Sequence, residues 1–430
     1  MLFQYLLQSV VRKGTLKLIT ANGKTRAFGD GTSPQIAVKL HRRSLEWSLG
    51  LNPELKLGEA YMDGSLTVEE GDLYGFLHLL LSNYIETGDR SPIHWREHLF
   101  RHLVWLSQFN PMERARRNVA FHYDMPDELY HFFLDPDRQY SCAYFTNPHV
   151  SLEQAQLDKK RHIASKLRLN RADLKVLDIG SGWGGLGLYL ARETGARVQG
   201  VTLSTNQYKI SRERAAAAGF NKRCDFALRD YRQEAGPFDR IVSVGMSEHV
   251  GKKNYDEFFM QVRRLLADDG VCLLHSIGRY GEPSPVNGFI RKHIFPGTDI
   301  PTLPEVLEAV GHSKLFITDI EVLRLHYAET LRHWTARLHQ HRTEIVKLFG
   351  EVLYRKWEFY FISCELGFRL GNLMVFQLQL SKQLETVPLT RDYMLDWERL
   401  HEPDSPELDR YIEGIAAASA ILKENNNKKS

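Results

Sequence analysis

The chain has 430 residues, too many for one ordinary hydrophobic core, so two domains are expected. An apolar share of 43%, a charged share of 25% and a net charge of +3 are those of a soluble globular protein, compatible with an anionic membrane surface and far from a nucleic-acid footprint. The four cysteines, Cys142, Cys224, Cys272 and Cys364, form no CxxC pair, which argues against a disulfide framework or a zinc site and for a reducing compartment.

Near the N-terminus, Leu2, Phe3, Leu6, Leu7, Val10 and Val11 fall on one helical stripe. Arg12 and Lys13 follow this apolar run, whereas a signal peptide carries its charges first. The stripe is expected to pack on its own domain rather than lie on a membrane. No apolar run approaches the roughly 18 residues needed to span a bilayer. Thr15 to Thr20 alternates as a strand does, Asn22-Gly23 signals a hairpin, and Ile36 to Leu40 is another short strand. Leu57-Gly-Glu-Ala-Tyr-Met-Asp-Gly64 precedes Ser65-Leu-Thr-Val68. From Asp72, read as an N-cap, apolar residues from Leu73 to Tyr84 recur at helical spacing. Residues 85–117 read as a polar, proline-interrupted connection ending in Arg114, Arg116 and Arg117, either a solvated face or a phospholipid headgroup contact. The domain boundary is placed near residue 115, giving domains 1–115 and 116–422 and a disordered polar tail, 423–430.

The second domain carries strands expected at 175–179, 197–201, 224–228, 240–244 and 271–276, alternating with helical patterns. That is an α/β, doubly wound sheet, beside a smaller α+β N-terminal domain. The stretch Val176-Leu-Asp-Ile-Gly180-Ser-Gly182-Trp-Gly184-Gly185 reads as a buried strand breaking into a loop and then a helix. Its glycines would let the backbone approach a ligand, although a tight strand-to-helix turn uses the same residues. The spacing departs from the dinucleotide G-x-G-x-x-G, and no Lys-Ser/Thr pair follows as in a P-loop. Thr202 and Gln207 stand where a ribose-binding carboxylate would be expected. Gly180, Thr202, Asp230, Glu248 and His275 all fall at carboxyl ends of expected strands, where ligands sit in open sheets. Val286 to Pro296 reads as a loop-rich insertion, either a lid over an acyl tunnel or core with a charged edge. Thr330 to Leu380 reads as helical and aromatic-rich.

On Leu57 to Gly64, His122-Tyr-Asp124, Tyr140-Ser-Cys142-Ala-Tyr-Phe145, the glycine loop, Thr202 to Gln207 and Ser247-Glu248-His249-Val250-Gly251, the chain resembles the cyclopropane-fatty-acyl-phospholipid synthases. The resemblance covers nearly the whole length and implies a Rossmann-like, S-adenosylmethionine-dependent lipid methyltransferase. It implies cofactor contacts from Tyr123, Tyr140, Ser141, Asp178, Gly180, Ser181, Gly182, Thr202, Leu203, Ser204, Gln207, Asp230 and Tyr231. It implies a bicarbonate ion as the base, held by Cys142, Glu248, His275 and Tyr327 and the backbone at Ile277. In the implied reaction a methyl group reaches a cis double bond of an unsaturated acyl chain in a membrane phospholipid. The resulting carbocation loses a proton from the new methyl group and closes to a cyclopropane. The site must then exclude water and keep a base near the transferred carbon.

Read without the resemblance, Cys142 is as compatible with inert buried filler, His275 with a satisfied core histidine and Tyr327 with packing. His249 is read as structural support, and His326, His333, His339 and His341 lack the pattern of a metal site, so no metal is expected. The N-terminal domain either engages lipid or supports the catalytic one. The protein is expected in the cytoplasm, reversibly associated with the inner face of the membrane, with no nucleic-acid partner and a homodimer as the candidate assembly. The alternatives are a methyl-branching or methylene-forming lipid methyltransferase of the same fold, and a non-catalytic lipid-binding protein.

Overall fold

The computed structural model describes residues 2–87 and 127–402. The boundary near residue 115, the arginine cluster, His122, Tyr123 and the tail 423–430 lie outside these described residues. The described residues form two compact units. One holds residues 2–87 with Pro283–Gly297 and Ala328–Leu373; the other holds residues 127–282 with Thr298–Tyr327 and residues 374–402. The units therefore do not follow a single cut in the sequence, as the expected division does: the insertion and the aromatic helices group with the N-terminal residues.

In the first unit, β1 (Thr15–Ile19) pairs antiparallel with β2 (Thr25–Gly29) and parallel with β3 (Gln35–Leu40), and β3 pairs antiparallel with β4 (Leu66–Glu70). The β1–β2 hairpin turns through Gly23, whose φ of +80° suits glycine. Helix Leu2–Val10 buries Phe3, Leu7 and Val10, so its apolar stripe is a core face. Helix Leu73–Thr87 starts where expected, with Asp72 Oδ1 accepting the Gly75 N–H at 2.6 Å. The insertion contains the helix Gly288–His293, and its Phe289 is fully buried, 4.9 Å from the Phe359 ring. A Cβ on Gly58 would come within 2.4 Å of Phe289, so glycine is needed there for the close approach. Lys292 and His293 bind Glu59 at 2.6 and 3.0 Å. Of the two readings of this insertion, core with a charged edge describes Phe289 and its basic neighbours.

The second unit is built, among the described residues, on a seven-stranded sheet. The strands are β5 (Lys175–Ile179), β6 (Arg197–Thr202), β7 (Cys224–Leu228), β8 (Phe238–Val244), β9 (Leu266–Arg279), β10 (Phe316–Val322) and β11 (Leu373–Ser381), in the order β10-β11-β9-β8-β5-β6-β7. β5, β6, β7, β8 and β9 run parallel, and β10 and β11 form an antiparallel pair at one edge. Successive residues of β5 point to opposite faces. Leu177 and Ile179 join Phe258, Phe259 and Val262 of helix Tyr255–Leu265 in one core. Val176 joins Ile163 and Leu190 in the other. The five expected strands are present. The expectation that 373–380 is helical is corrected: this stretch is β11, buried along almost its whole length between β9 and β10. Its alternation Val-Phe-Gln-Leu-Gln-Leu fits a strand, and its buried glutamines are bonded, Gln379 Nε2 donating to the Lys166 carbonyl at 2.6 Å.

Strand order reverses between β5 and β8, which opens a crevice at their carboxyl ends. Chain direction there places the Gly180 loop after β5 and the Met246 to Val250 turn after β8 at the mouth of the crevice.

Candidate active site

A cavity occupies that crevice. Tyr140, Ser141, Asp178, Gly180, Ser181, Gly182, Thr202, Leu203, Gln207, Asp230 and Tyr231, all expected at the cofactor, line it. Ser204 does not. Its Oγ instead accepts the Gln207 N–H at 3.3 Å and caps helix Thr205–Ala217. Tyr123 lies outside the described residues.

The glycine loop is left-handed at Gly180 (φ +82°), Gly182 (+54°) and Gly184 (+82°), a run that L side chains resist. A Cβ at Gly180 would press on Met246, whereas one at Gly182 would meet no protein atom within 4 Å. At Gly182 the loop thus keeps its backbone bare toward open space. Asp178 Oδ2 and Ser181 Oγ are buried without hydrogen-bond partners. Burial pushes the Asp178 carboxyl up to about 7, against the pull of Lys159. Orphaned buried polar atoms on a cavity wall mark a place where a ligand supplies the missing bonds. These residues fit S-adenosylmethionine, a polar cofactor with ammonium, carboxylate and hydroxyl groups. The missing carboxylate at the end of β6 is replaced by a pair: Thr202 Oγ1 donates to Gln207 Oε1 at 2.8 Å. Asp230 is already engaged, its two oxygens accepting from Arg232 at 2.9 and 2.8 Å.

Sequence reasoning missed the scaffold that holds Tyr140 and Ser141. Asp137 lies buried between Lys160, at 2.5 Å, and Arg214, which also donates to the Trp183 carbonyl at 2.8 Å. Gln156 Nε2 donates to the Gln139 and Ser141 carbonyls at 3.2 and 3.0 Å. Lys159 and His249 line the cavity too. Burial depresses His249 to about 4, so it is neutral at physiological pH. The adjacent motif Ser247-Glu248-His249 was the available signal for His249; Lys159 had none.

The second predicted set lies off the wall of this cavity. Glu248, flanked by the lining residues Met246 and His249, is buried, and its Oε1 accepts the Ile277 N–H at 2.6 Å. Burial pushes Glu248 up to about 7, with the Ile277 bond opposing. His275, two residues earlier on β9, receives the Gln377 Nε2 amide at Nδ1, 3.1 Å. An amide nitrogen only donates, so the ring proton lies on Nε2, which is buried and without a partner. Burial holds His275 down at about 3, neutral. Cys142 is buried with Sγ 3.3 Å from the Ala143 carbonyl, and Tyr327 is buried at the start of helix His326–Gln340. The structure thus joins Glu248 to Ile277 directly. His326 Nδ1 accepts the Phe145 N–H at 2.9 Å, and among the described residues no group of His, Cys, Asp or Glu is arranged to hold a metal.

Sheet order, glycine loop and cavity together define the class, an S-adenosylmethionine-dependent methyltransferase. Residues 111–378 match the family described as mycolic acid cyclopropane synthetase, and residues 2–85 match a domain family of unknown function. The chain belongs to the mycolic acid cyclopropane synthetase family. It is 34% identical to a "Probable fatty acid methyltransferase" of Pseudomonas putida, over 90% of this chain and 98% of that one. It is 34% identical to a "Cyclopropane-fatty-acyl-phospholipid synthase" of Escherichia coli, over 77% of this chain and 84% of that one. Among solved structures it is similar to the mycolic acid cyclopropane synthase CmaA1 complexed with SAH and CTAB, with a TM-score of 0.59 and 33% identity over 63% of this chain and 99% of that one.

Proposed function

We propose that this protein converts cis double bonds of unsaturated acyl chains in membrane phospholipids to cyclopropanes. Bound S-adenosylmethionine would supply an electrophilic methyl group. The residues lining the crevice, from Tyr140 to Tyr231, would hold it. Glu248, His275, Cys142, Tyr327 and the Ile277 backbone would hold bicarbonate as the base. In this reading Glu248 takes the hydroxyl hydrogen of the anion and His275 Nε2 donates to another of its oxygens. The balance is one alkene and one methyl carbon in, and one ring, one proton and the demethylated cofactor out.

The observation that carries the reading is the buried pair of groups after β8 and on β9: a Glu248 carboxyl bonded to the Ile277 N–H, and a neutral His275 with an unpaired N–H. The 34% identity to the Escherichia coli phospholipid synthase supports the substrate class. We place catalysis in the sheet unit and propose that the N-terminal residues help engage lipid. The protein would work in the cytoplasm, reversibly on the inner face of the membrane, with a homodimer as the candidate assembly. No helix among the described residues is long and apolar enough to cross a bilayer.

A second reading is a methyl-branching enzyme of the same fold. It is favoured by the Pseudomonas putida relative and by a "Tuberculostearic acid methyltransferase" of Mycobacterium tuberculosis, 34% identical over 86% of this chain and 88% of that one. Mass spectrometry of host lipids, with and without the protein, tests both. Gain of one CH2 with loss of alkene reactivity and a ring methylene signal by NMR supports ring closure. Gain of a methyl branch supports the second reading, and unchanged lipids in a cofactor-replete host overturn both.

A further inference from the structure

Lys159 is 1% exposed, yet it lines the cavity. Its ammonium donates to Gln139 Oε1 at 2.7 Å and Ser141 Oγ at 2.8 Å, two neutral oxygens, and it forms no ion pair with a carboxylate among the described residues. An ammonium has three protons to donate. A buried charge is costly unless paired, so the partner is expected to come with whatever fills the cavity. On the same cavity wall Asp178 presents a buried oxygen with no hydrogen-bond partner. The neighbouring charges Lys160, Arg214 and Asp137 satisfy one another and leave these two groups out.

We infer that Lys159 receives the α-carboxylate at the amino-acid end of S-adenosylmethionine, across the cavity wall from Asp178. This rests on the cofactor reading above. Burial, opposed by Asp135 and Asp137, brings Lys159 down to about 7, so its charge is poised to be fixed by an incoming anion. The same ammonium holds Ser141, which ties recognition of the cofactor's polar end to the segment carrying Tyr140 and Cys142. Lys159 acts here as a binding and positioning residue, not as an acid or base.

The test is calorimetry on the full chain with three probes: S-adenosylhomocysteine, its decarboxylated analogue, and methylthioadenosine, which lacks the amino-acid end. Native protein should bind S-adenosylhomocysteine roughly ten- to hundred-fold more tightly than the decarboxylated analogue, the worth of a charge-assisted bond. Lys159→Met should bind those two alike and keep native affinity for methylthioadenosine; Lys159→Arg should recover part of the preference. If native protein shows no preference between S-adenosylhomocysteine and its decarboxylated analogue, the inference is overturned without any variant having to fold. Equal losses for all three probes in Lys159→Met would also overturn it, making Lys159 a scaffold for Ser141. Native protein that binds none of the probes would instead sink the cofactor reading itself.

Discussion

The backbone N–H of Ile277 donates to Oε1 of Glu248 at 2.6 Å, linking the turn after β8 to the end of β9. This bond fixes the buried carboxyl through one oxygen, and Ser247 Oγ donates to the other at 3.4 Å.

The first prediction follows from that geometry. Glu248→Gln keeps an oxygen for the Ile277 N–H but removes the charged acceptor. Losing a charged hydrogen bond costs about 1.5–3 kcal/mol. Felt in the transition state, that lowers turnover roughly ten- to hundred-fold. Binding of S-adenosylhomocysteine should be unchanged, since Glu248 is not on the cavity wall. Added bicarbonate should raise the rate of native enzyme in degassed buffer; full activity without it, together with a fully active Glu248→Gln, rules out the proposed base. The same substitution has a stability signature. The folded Glu248 keeps its proton up to about 7, against 4.5 for a free glutamate. Its contribution is therefore best below 4.5 and is lost as pH rises through 7. Thermal denaturation of Glu248→Gln should show less decline than native protein across that window.

Gly182→Val should abolish cofactor binding at modest cost to the fold. The left-handed backbone at Gly182 costs a non-glycine residue about 1–2 kcal/mol. No protein atom lies within 4 Å of the added Cβ, so the remaining clash arises only with a ligand. Calorimetry with S-adenosylhomocysteine on a variant of near-native melting temperature checks this. Unchanged affinity would make the loop a turn and nothing more.

The glycine loop was legible because positive φ demands glycine, and glycines spaced after a β-branched strand announce both the turn and the bare backbone. The Thr202–Gln207 pair was legible as a departure, a polar substitute where a carboxylate belongs. Helix Leu152–Lys166 was not legible. Lys159-Lys-Arg161 is a run of three cations, yet all three are buried; Arg161 pairs with Asp158 on the same helix, while the carboxylates at Lys160 and Lys166, Asp137 and Glu321, come from far along the chain. Local sequence holds no record of such partners. β11 was obscured for a related reason. It follows on the long aromatic helix Glu351–Arg369, and the strands that flank its two edges, β9 and β10, are remote in sequence.

Phe289→Ala tests whether the insertion is core. A buried phenylalanine packed on Phe359 and Gly58 should cost about 3–5 kcal/mol when truncated. Denaturant unfolding should show the loss directly. A residue that serves only as a membrane anchor would behave oppositely, leaving stability intact and weakening vesicle binding.

His162 supplies the last prediction. Its ring lies buried between two carboxylates, Nδ1 2.5 Å from Glu398 and Nε2 2.7 Å from Glu321, and stacks 4.1 Å from the Tyr144 ring. Burial and the neighbouring Lys166 push its pKa down, but the bonds to Glu321 and Glu398 outweigh them and leave it above 6.5. Glu398 stands on helix Asp392–Leu400, so a protonated His162 ties that helix to helix Leu152–Lys166. For a base whose folded pKa is raised, the stabilisation is fully present below the unfolded value of 6.5 and is lost as pH rises through the folded value. Deprotonation would leave two part-buried carboxylates facing one shared proton. Melting temperature of native protein should therefore fall as pH climbs above 6.5, with helix Asp392–Leu400 gaining hydrogen exchange first. His162→Gln, which has no proton to lose, should be less stable than native protein at about pH 6 and should lose this slope. If both proteins decline in parallel from pH 6 to roughly pH 9, the ion triad is not what holds the helix.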